Sequence, residues 1–188
     1  MRKAHCLAVA LLAACASPQP PAPAATPPSA ALVNPGFESS ATSGRGDPEG
    51  WFSFQHAIEP SYRFSVDTVE PHGGARSLRI DNTGPDVYGA IAQSVDAAPH
   101  AGKVARYSAW LRTRDTRSAV LTLVTLKGGT TVSNNFMADA PVSGTTPWTR
   151  YTITLPVPAN ADRIEIGAML QGKGSLWLDD VELSFDAR

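Results

Sequence analysis

The stretch "GSLWLDDVELSF" at residues 174–185 carries the chain's most demanding side chain. With a repeat of two, Trp177, Asp179, Val181, Leu183 and Phe185 share one face of a strand. Four of these are large and apolar, and the fifth is a carboxylate. An isolated buried carboxylate is too costly to leave uncompensated, so Asp179 requires a group that pairs with it or neutralises it. Asp180 points to the opposite face and is expected in solvent. Elsewhere, side chains suited to catalysis are scattered. His56, His72 and His100 fall in turn-rich sequence, with none of the spacing of a metal-binding helix. No G-x-S-x-G elbow exposes a serine, so "PHGGA" at 71–75 is read as a turn rather than an oxyanion loop. Glu49, Glu59, Glu70 and Glu165 lie in no motif of paired carboxylates. No enzymatic activity is expected.

The 188-residue chain opens "MRKAHCLAVALLAACASPQP", a basic start followed by a short apolar run. That run is too short for a finished membrane-spanning helix and reads as an export signal. Its end, Leu12-Ala13-Ala14-Cys15, resembles the bacterial lipobox, in which cleavage precedes a cysteine that then receives lipid. Cleavage at an ordinary small-residue site is the alternative. The lipobox resemblance implies a signal peptide over residues 1–14 and a lipid anchor at Cys15. With Ala16 next, it also implies a lipoprotein of the bacterial envelope, at the outer membrane. Cys6 leaves with the signal and Cys15 becomes the anchor, so no thiol remains for a disulfide, a zinc site or catalysis.

Residues 16–31 hold six prolines among Ala and Ser. Together with Cys15 they form a linker, extended as polyproline II or simply disordered. Residues 32–188 remain as one domain. Without residues 1–14, 14 basic residues face 17 acidic ones. No basic stripe points to nucleic acid, and none is expected as a partner.

The elements of this domain alternate rather than follow a helical period. "YRFSV", "RSLRI", "YSAWLR", "TRYTITL" and "RIEIGAML" each place apolar residues at every second position, whereas "AVLTLVTL" is apolar on both faces, like a central strand. "NTGPD", "AAPHAGK", "KGGT", "VSGTTP", "PVPANAD" and "QGKG" supply the turns. Eight or nine short strands around one core predict an all-β sandwich or barrel.

Several segments, taken in order, resemble the galactose-binding-domain-like jelly rolls, particularly carbohydrate-binding modules of the xylan- and glucan-binding kind. These are "LVNPGFESS", "GW" at 50–51, "GGARSLRI", "GAIAQSV", "AGKVARYSAWLRT", "TPWTRYTITLPVP" and "GSLWLDDVEL". The resemblance implies a β-sandwich jelly roll over 32–188 that binds a polysaccharide or glycan as a monomer, without catalysis. It further implies a structural calcium ion shared by Glu38 of "NPGFE" and Asp179 of "LDDV". Calcium takes six to eight hard oxygens, and its charge would relieve the repulsion between two carboxylates. The alternative for Asp179 is a place at the sheet rim, bonded to backbone amides or an Arg.

In such jelly rolls aromatic rings stack on pyranose faces and planar polar groups meet hydroxyls. Trp110 shares a face with Ser108 and Arg112, which makes Trp110 and Arg112 candidates for ligand contact. Tyr88 and Gln93 join them from a strand where Gly89, Ala90 and Ala92 leave room. Trp51 and Phe54 would wall a cleft, unless Trp51 is a core anchor, and Gln171 is a further contact. Trp148 and Trp177 are assigned to packing. The rival expectation is an envelope protein-interaction or scaffold module of the same fold. An open groove floored by Trp110 and Tyr88 would favour the glycan, and a face filled by the protein's own loops would favour the rival.

Overall fold

Strands form wherever apolar side chains recur every second residue and Gly or Pro interrupts the run. The computed structural model describes residues 31–44, 46–57 and 60–187. The expected signal peptide, Cys15 and the linker up to residue 30 lie outside them. Among the described residues are nine strands: β1 (Phe52–Gln55), β2 (Tyr62–Asp67), β3 (Ser77–Asn82), β4 (Tyr88–Asp96), β5 (Val104–Lys127), β6 (Thr130–Asn135), β7 (Val142–Pro156), β8 (Arg163–Gln171) and β9 (Ser175–Asp186). The helical content of these residues is one 3₁₀ turn, Ala98–His100, and no described helix is long and apolar enough to cross a membrane. The all-β jelly-roll sandwich expected from the sequence is the fold observed.

β5 divides the sheet into two layers. Its first half pairs with β7 and β9, and β9 continues through β3 to β2. Its second half pairs with β6 and β8, and β8 continues through β4 to β1. Twenty-four extended residues would reach about 80 Å, so the strand must bend. The bend falls at "TRDTRS" (113–118), where the register with β7 slips repeatedly and Asp115 takes φ +52°. "YSAWLR" and "AVLTLVTL", expected as separate strands, are therefore two halves of one. "VSGTTP", expected as a turn, lies inside β7, with Gly144 at φ +76° absorbing a bulge.

Tyr107, Leu111 and Leu123 of β5, Ile80 of β3, Ile91 of β4, Ile166 of β8 and Leu183 of β9 are fully buried between the layers. Each aliphatic side chain buried this way stabilises the fold by roughly 1.5–3 kcal/mol. The Tyr107 hydroxyl donates to the Gly167 carbonyl at 3.0 Å, and burial pushes its pKa up, so it stays a neutral donor. Gly167 permits close approach of β4: a Cβ there would lie 2.0 Å from the Ile91 carbonyl oxygen.

β9 corrects the expectation for Asp179. Trp110 stands opposite Asp179 and Ser108 opposite Glu182, so two residues of β9 face Ala109 alone. This is a β-bulge, and Asp180 sits in it at φ +45°. A bulge reverses which face alternate residues occupy. Leu176 and Leu178 enter the core before it, and Val181, Leu183 and Phe185 after it. Trp177 and Asp179 consequently share the outer face of the layer instead of the core face. Asp179 is nonetheless fully buried, because the loop joining β2 to β3 (residues 68–76) covers it.

Candidate functional site

That loop holds its carboxylates with backbone amides. The N–H groups of His72 and Gly73 donate to Asp179 Oδ2 at 2.9 and 3.1 Å, and that of Asp180 donates to Oδ1 at 2.8 Å. The N–H groups of Ala75 and Arg76 donate to Glu38 Oε1 at 2.9 and 3.0 Å. His72 Nδ1 lies 2.6 Å from Asp180 Oδ2, so Asp180, expected in solvent, is engaged as well. "PHGGA" is thus an anion-receiving turn whose anions are the protein's own. A side chain there would displace these carboxylates: a Cβ at Gly73 would meet Asp180 Oδ2 at 2.6 Å, and one at Gly74, whose φ of +58° also favours glycine, would meet Glu38 Oε1 at 2.2 Å.

Desolvation raises the Asp179 pKa from 3.8 to about 6, with the Asp180 charge adding to the rise and the three amides working against it. Glu38, Asp179 and Asp180 all approach Gly36: a Cβ there would lie 3.8 Å from Glu38 Cγ, 3.9 Å from Asp179 Oδ1 and 3.7 Å from Asp180 Oδ1. The oxygen chemistry suits a hard cation. Among the described residues no three acidic, His or Cys side chains converge as a metal cage, so such an ion would draw its other ligands from carbonyls and water.

The same loop covers Trp110. The His72 ring stacks on its indole at 3.7 Å and 17°, and Trp148, whose Nε1 donates to the Glu70 carbonyl, closes on His72 from the side. Arg112 is paired with Glu70 at 2.7 Å and lies over Trp177, as do Arg79 and Arg114. Trp110 and Arg112 therefore sit on the outer face of the β9 layer, under and beside the chain's own loop.

An open groove lies on the outer face of the other layer. It measures about 430 Å³ and crosses β1, β4, β8, β5 and β6. The cross-strand register sets out its rows. At one end Tyr88, Gln171 and Ser118 stand side by side, with the Ser118 hydroxyl donating to Gln171 Oε1 at 2.8 Å. The next row is Phe54, Ala90 and Met169, and the one after is Phe52, Ala92, Gly167 and Thr122. Ala90, Ala92 and Gly167 lower the floor, while Phe54 and Phe136, 44% and 40% exposed, stand proud of it. Glu165, Val124 and Leu126 continue to the far end, where Arg163 Nε lies 3.3 Å from Glu165.

The groove unites Tyr88 and Gln171 of the expected contacts, together with Phe54. It does not include Gln93, which alternates onto the inner face with Gly89 and Ile91. The Gln93 amide accepts from Val33 N–H at 2.8 Å and donates to Val33 O at 2.7 Å, tying the first described residues to β4. Trp51 is a core anchor: it is buried against Phe37 at 5.0 Å, and its Nε1 donates to the Asn34 carbonyl. Phe136, beyond the end of β6, carried no periodic signal. His56, passed over as a loop residue, continues the β1 ladder through its N–H to the Tyr88 carbonyl and so extends the groove face.

No protein-family model matches the chain. An uncharacterized HTH-type transcriptional regulator of Bacillus subtilis (strain 168), YbfP, is 28% identical over 139 residues, which are 71% of this chain. The match spans about half, 46%, of that relative's length. Among solved structures, the CBM22-1 xylan-binding domain of Xyn10C from Paenibacillus barcinonensis superposes with a TM-score of 0.61 at 14% identity, covering 87% of this chain and 99% of the module. A CBM4 structure gives 0.61 at 17% identity, covering 83% and 100%. The Stig cyclase Fisc from Fischerella sp. TAU, solved with a 3H-indole ligand, gives 0.61 at 14%, covering 87% and 100%. At these identities the likeness is one of fold, which carbohydrate-binding modules and an enzyme share.

Proposed function

We propose that this protein binds a neutral polysaccharide noncovalently in the Phe54–Tyr88 groove. The observation that carries the proposal is the groove itself, open across five strands, with exposed aromatic rings over a floor of Ala and Gly and amide and hydroxyl groups at one end. Phe54, Tyr88 and Phe136 offer apolar faces to the C–H faces of pyranose rings. Gln171, Thr122 and Thr131 offer hydroxyl partners. Among the described residues the cation nearest the groove, Arg163 at its far end, is already paired with Glu165, so a uronate would find no free counter-charge. Neutral chains such as xylans, β-glucans and mannans fit this lining better than pectins.

Catalysis is not part of the proposal. Glu165 is the carboxylate that lines the groove among the described residues. Gln171, at the other end, lies six residues along β8, about 20 Å away. A glycosidase needs a second carboxylate within roughly 5–9.5 Å of the first. Titration of residues 32–188 by calorimetry against neutral and acidic glycans checks the proposal. Saturable binding to a neutral chain and none to polygalacturonate is the expected outcome. No binding to any glycan by the folded domain would move the assignment to a protein-interaction module, which the loop-covered Trp110 face already resembles.

Calcium enters the proposal as a structural ion between the chain's first and last segments. Glu38 and Asp179 would hold it, and it would supply positive charge where two carboxylates and Asp180 crowd together. The lipid anchor at Cys15 and an outer-membrane location in a bacterial envelope belong to the same proposal, on the strength of Leu12-Ala13-Ala14-Cys15. In cells, the full chain is expected in the detergent-extracted membrane fraction, and Cys15→Ser should leave it there no longer. An unchanged distribution of Cys15→Ser would remove the anchor.

A further inference from the structure

We infer that His56, aimed by Asp86, is a hydroxyl-reading subsite at the Tyr88 end of the groove, accepting a hydrogen bond from a neutral pyranoside through Nε2. This rests on the glycan-binding proposal above and adds a residue that supplies direction rather than stacking.

Phe52 and Phe54 stand opposite Ala92 and Ala90, and the next same-face pair, joined by the His56 N–H to Tyr88 O bond of 3.1 Å, is His56 with Tyr88. The two rings meet edge-on at 5.7 Å. His56, Tyr88 and Gln171 therefore form one row across three strands, a polar–aromatic–polar arrangement at a single level of the groove.

The chemistry follows from Asp86. Its carboxylate is nearly buried and accepts from the N–H groups of Ala57 and Val87, both at 2.7 Å, and lies 3.1 Å from His56 Nδ1. Burial alone would raise its pKa, but the two amides and His56 outweigh that and hold it below the usual carboxylate range. An ionised carboxylate only accepts, so the proton between the two side chains belongs to Nδ1. In the neutral ring Nε2 is then the lone-pair nitrogen. The His56 side chain is 57% exposed, and no described residue bonds to Nε2. A buried acid that fixes the tautomer of an exposed imidazole does for a hydroxyl ligand what carboxylate–histidine pairs do for metals: it orients the acceptor in advance. Tyr88 beside it provides the flat face against which a sugar ring would present its edge hydroxyls.

Calorimetric titration of xylohexaose and cellohexaose into the wild type, His56→Ala and Tyr88→Ala tests this, alongside long-range ¹H–¹⁵N NMR of the His56 ring. One hydrogen bond of about 1 kcal/mol corresponds to roughly a fivefold affinity loss. The expected result is that loss in His56→Ala with the fold intact, an Nδ1–H tautomer in the free protein, and a ligand-dependent shift of the Nε2 resonance. Wild-type affinity in His56→Ala while Tyr88→Ala loses binding would overturn the subsite and leave the groove standing. No binding of either chain to the wild type would remove both. An Nε2–H tautomer in the free protein would overturn the Asp86 argument whatever the affinities.

Discussion

Tyr88→Ala and Phe54→Ala should each weaken binding of a neutral oligosaccharide about tenfold or more, while Trp110→Ala leaves the affinity within twofold of the wild type. The contrast follows from what covers each ring. Tyr88 and Phe54 line an open groove, and a ring that covers about 60 Å² of a pyranose face contributes roughly 1.5 kcal/mol, a little over a factor of ten. Trp110 already has its stacking partner, the His72 imidazole at 3.7 Å. Its removal should appear in the thermal midpoint, since it unseats the 68–76 loop, and not in the dissociation constant. Calorimetry paired with thermal unfolding separates the two. Should Trp110→Ala abolish binding in a folded domain, the loop must open to a ligand and the site belongs to the β9 layer. Loss in Tyr88→Ala with retention in Trp110→Ala would place it in the groove.

The separation of Trp110 and Tyr88 onto the outer faces of different layers marks the limit of what sequence periodicity can carry. Alternation correctly put Trp110 opposite Tyr107, Ala109 and Leu111, which are fully buried. What it lacked was the loop folded over the polar face, because a contact between residue 72 and residue 110 leaves no local pattern. The all-β class was legible for the opposite reason: strand period and turn residues are local signals, and they agree along most of the domain. Where they disagreed, the fold was misjudged locally. "VSGTTP" looks like a turn because Gly, Ser and Pro favour bends, yet it lies within β7, and "TRDTRS" bends β5 without ending it. Asp179 is the same lesson at one residue. Period two placed it with Val181 and Leu183, and a bulge at Asp180, invisible to periodicity, moved it to the other face. The groove was half legible: Tyr88, Phe54 and Gln171 could be chosen by type and face, but their union depends on the register of β1 on β4 and β4 on β8. Gln93 was of the right type on the wrong parity. His56 lay one residue beyond a strand end, where no pattern extends.

Asp179 carries the second large effect, on stability as a function of pH and calcium. Its carboxyl group titrates at about 6 in the fold against 3.8 for the ordinary group. A raised pKa means that the folded state holds the proton more tightly than the unfolded state. The associated stability is complete below about pH 3.8 and is lost as pH rises through about 6. Two units correspond to roughly 3 kcal/mol. In EDTA, then, the domain should become less stable between about pH 4 and 6. This runs opposite to the trend set by Asp67, Asp81 and Asp86, whose hydrogen bonds and ionic partners outweigh burial and keep them low, so that they lose stability only in stronger acid. Saturating calcium should flatten the decline by supplying the charge that the three backbone amides do not, and raise the thermal midpoint at pH 7. Asp179→Asn isolates the residue: the decline between about pH 4 and 6 should vanish, and the calcium response with it. Its amide nitrogen would also face an N–H donor on one side, so the variant should start from a lower midpoint. Identical curves in calcium and EDTA, both falling with pH, would mean that the carboxylate is strained and no ion relieves it. A flat wild-type curve in EDTA would show that the amides of His72, Gly73 and Asp180 are sufficient to hold the charge.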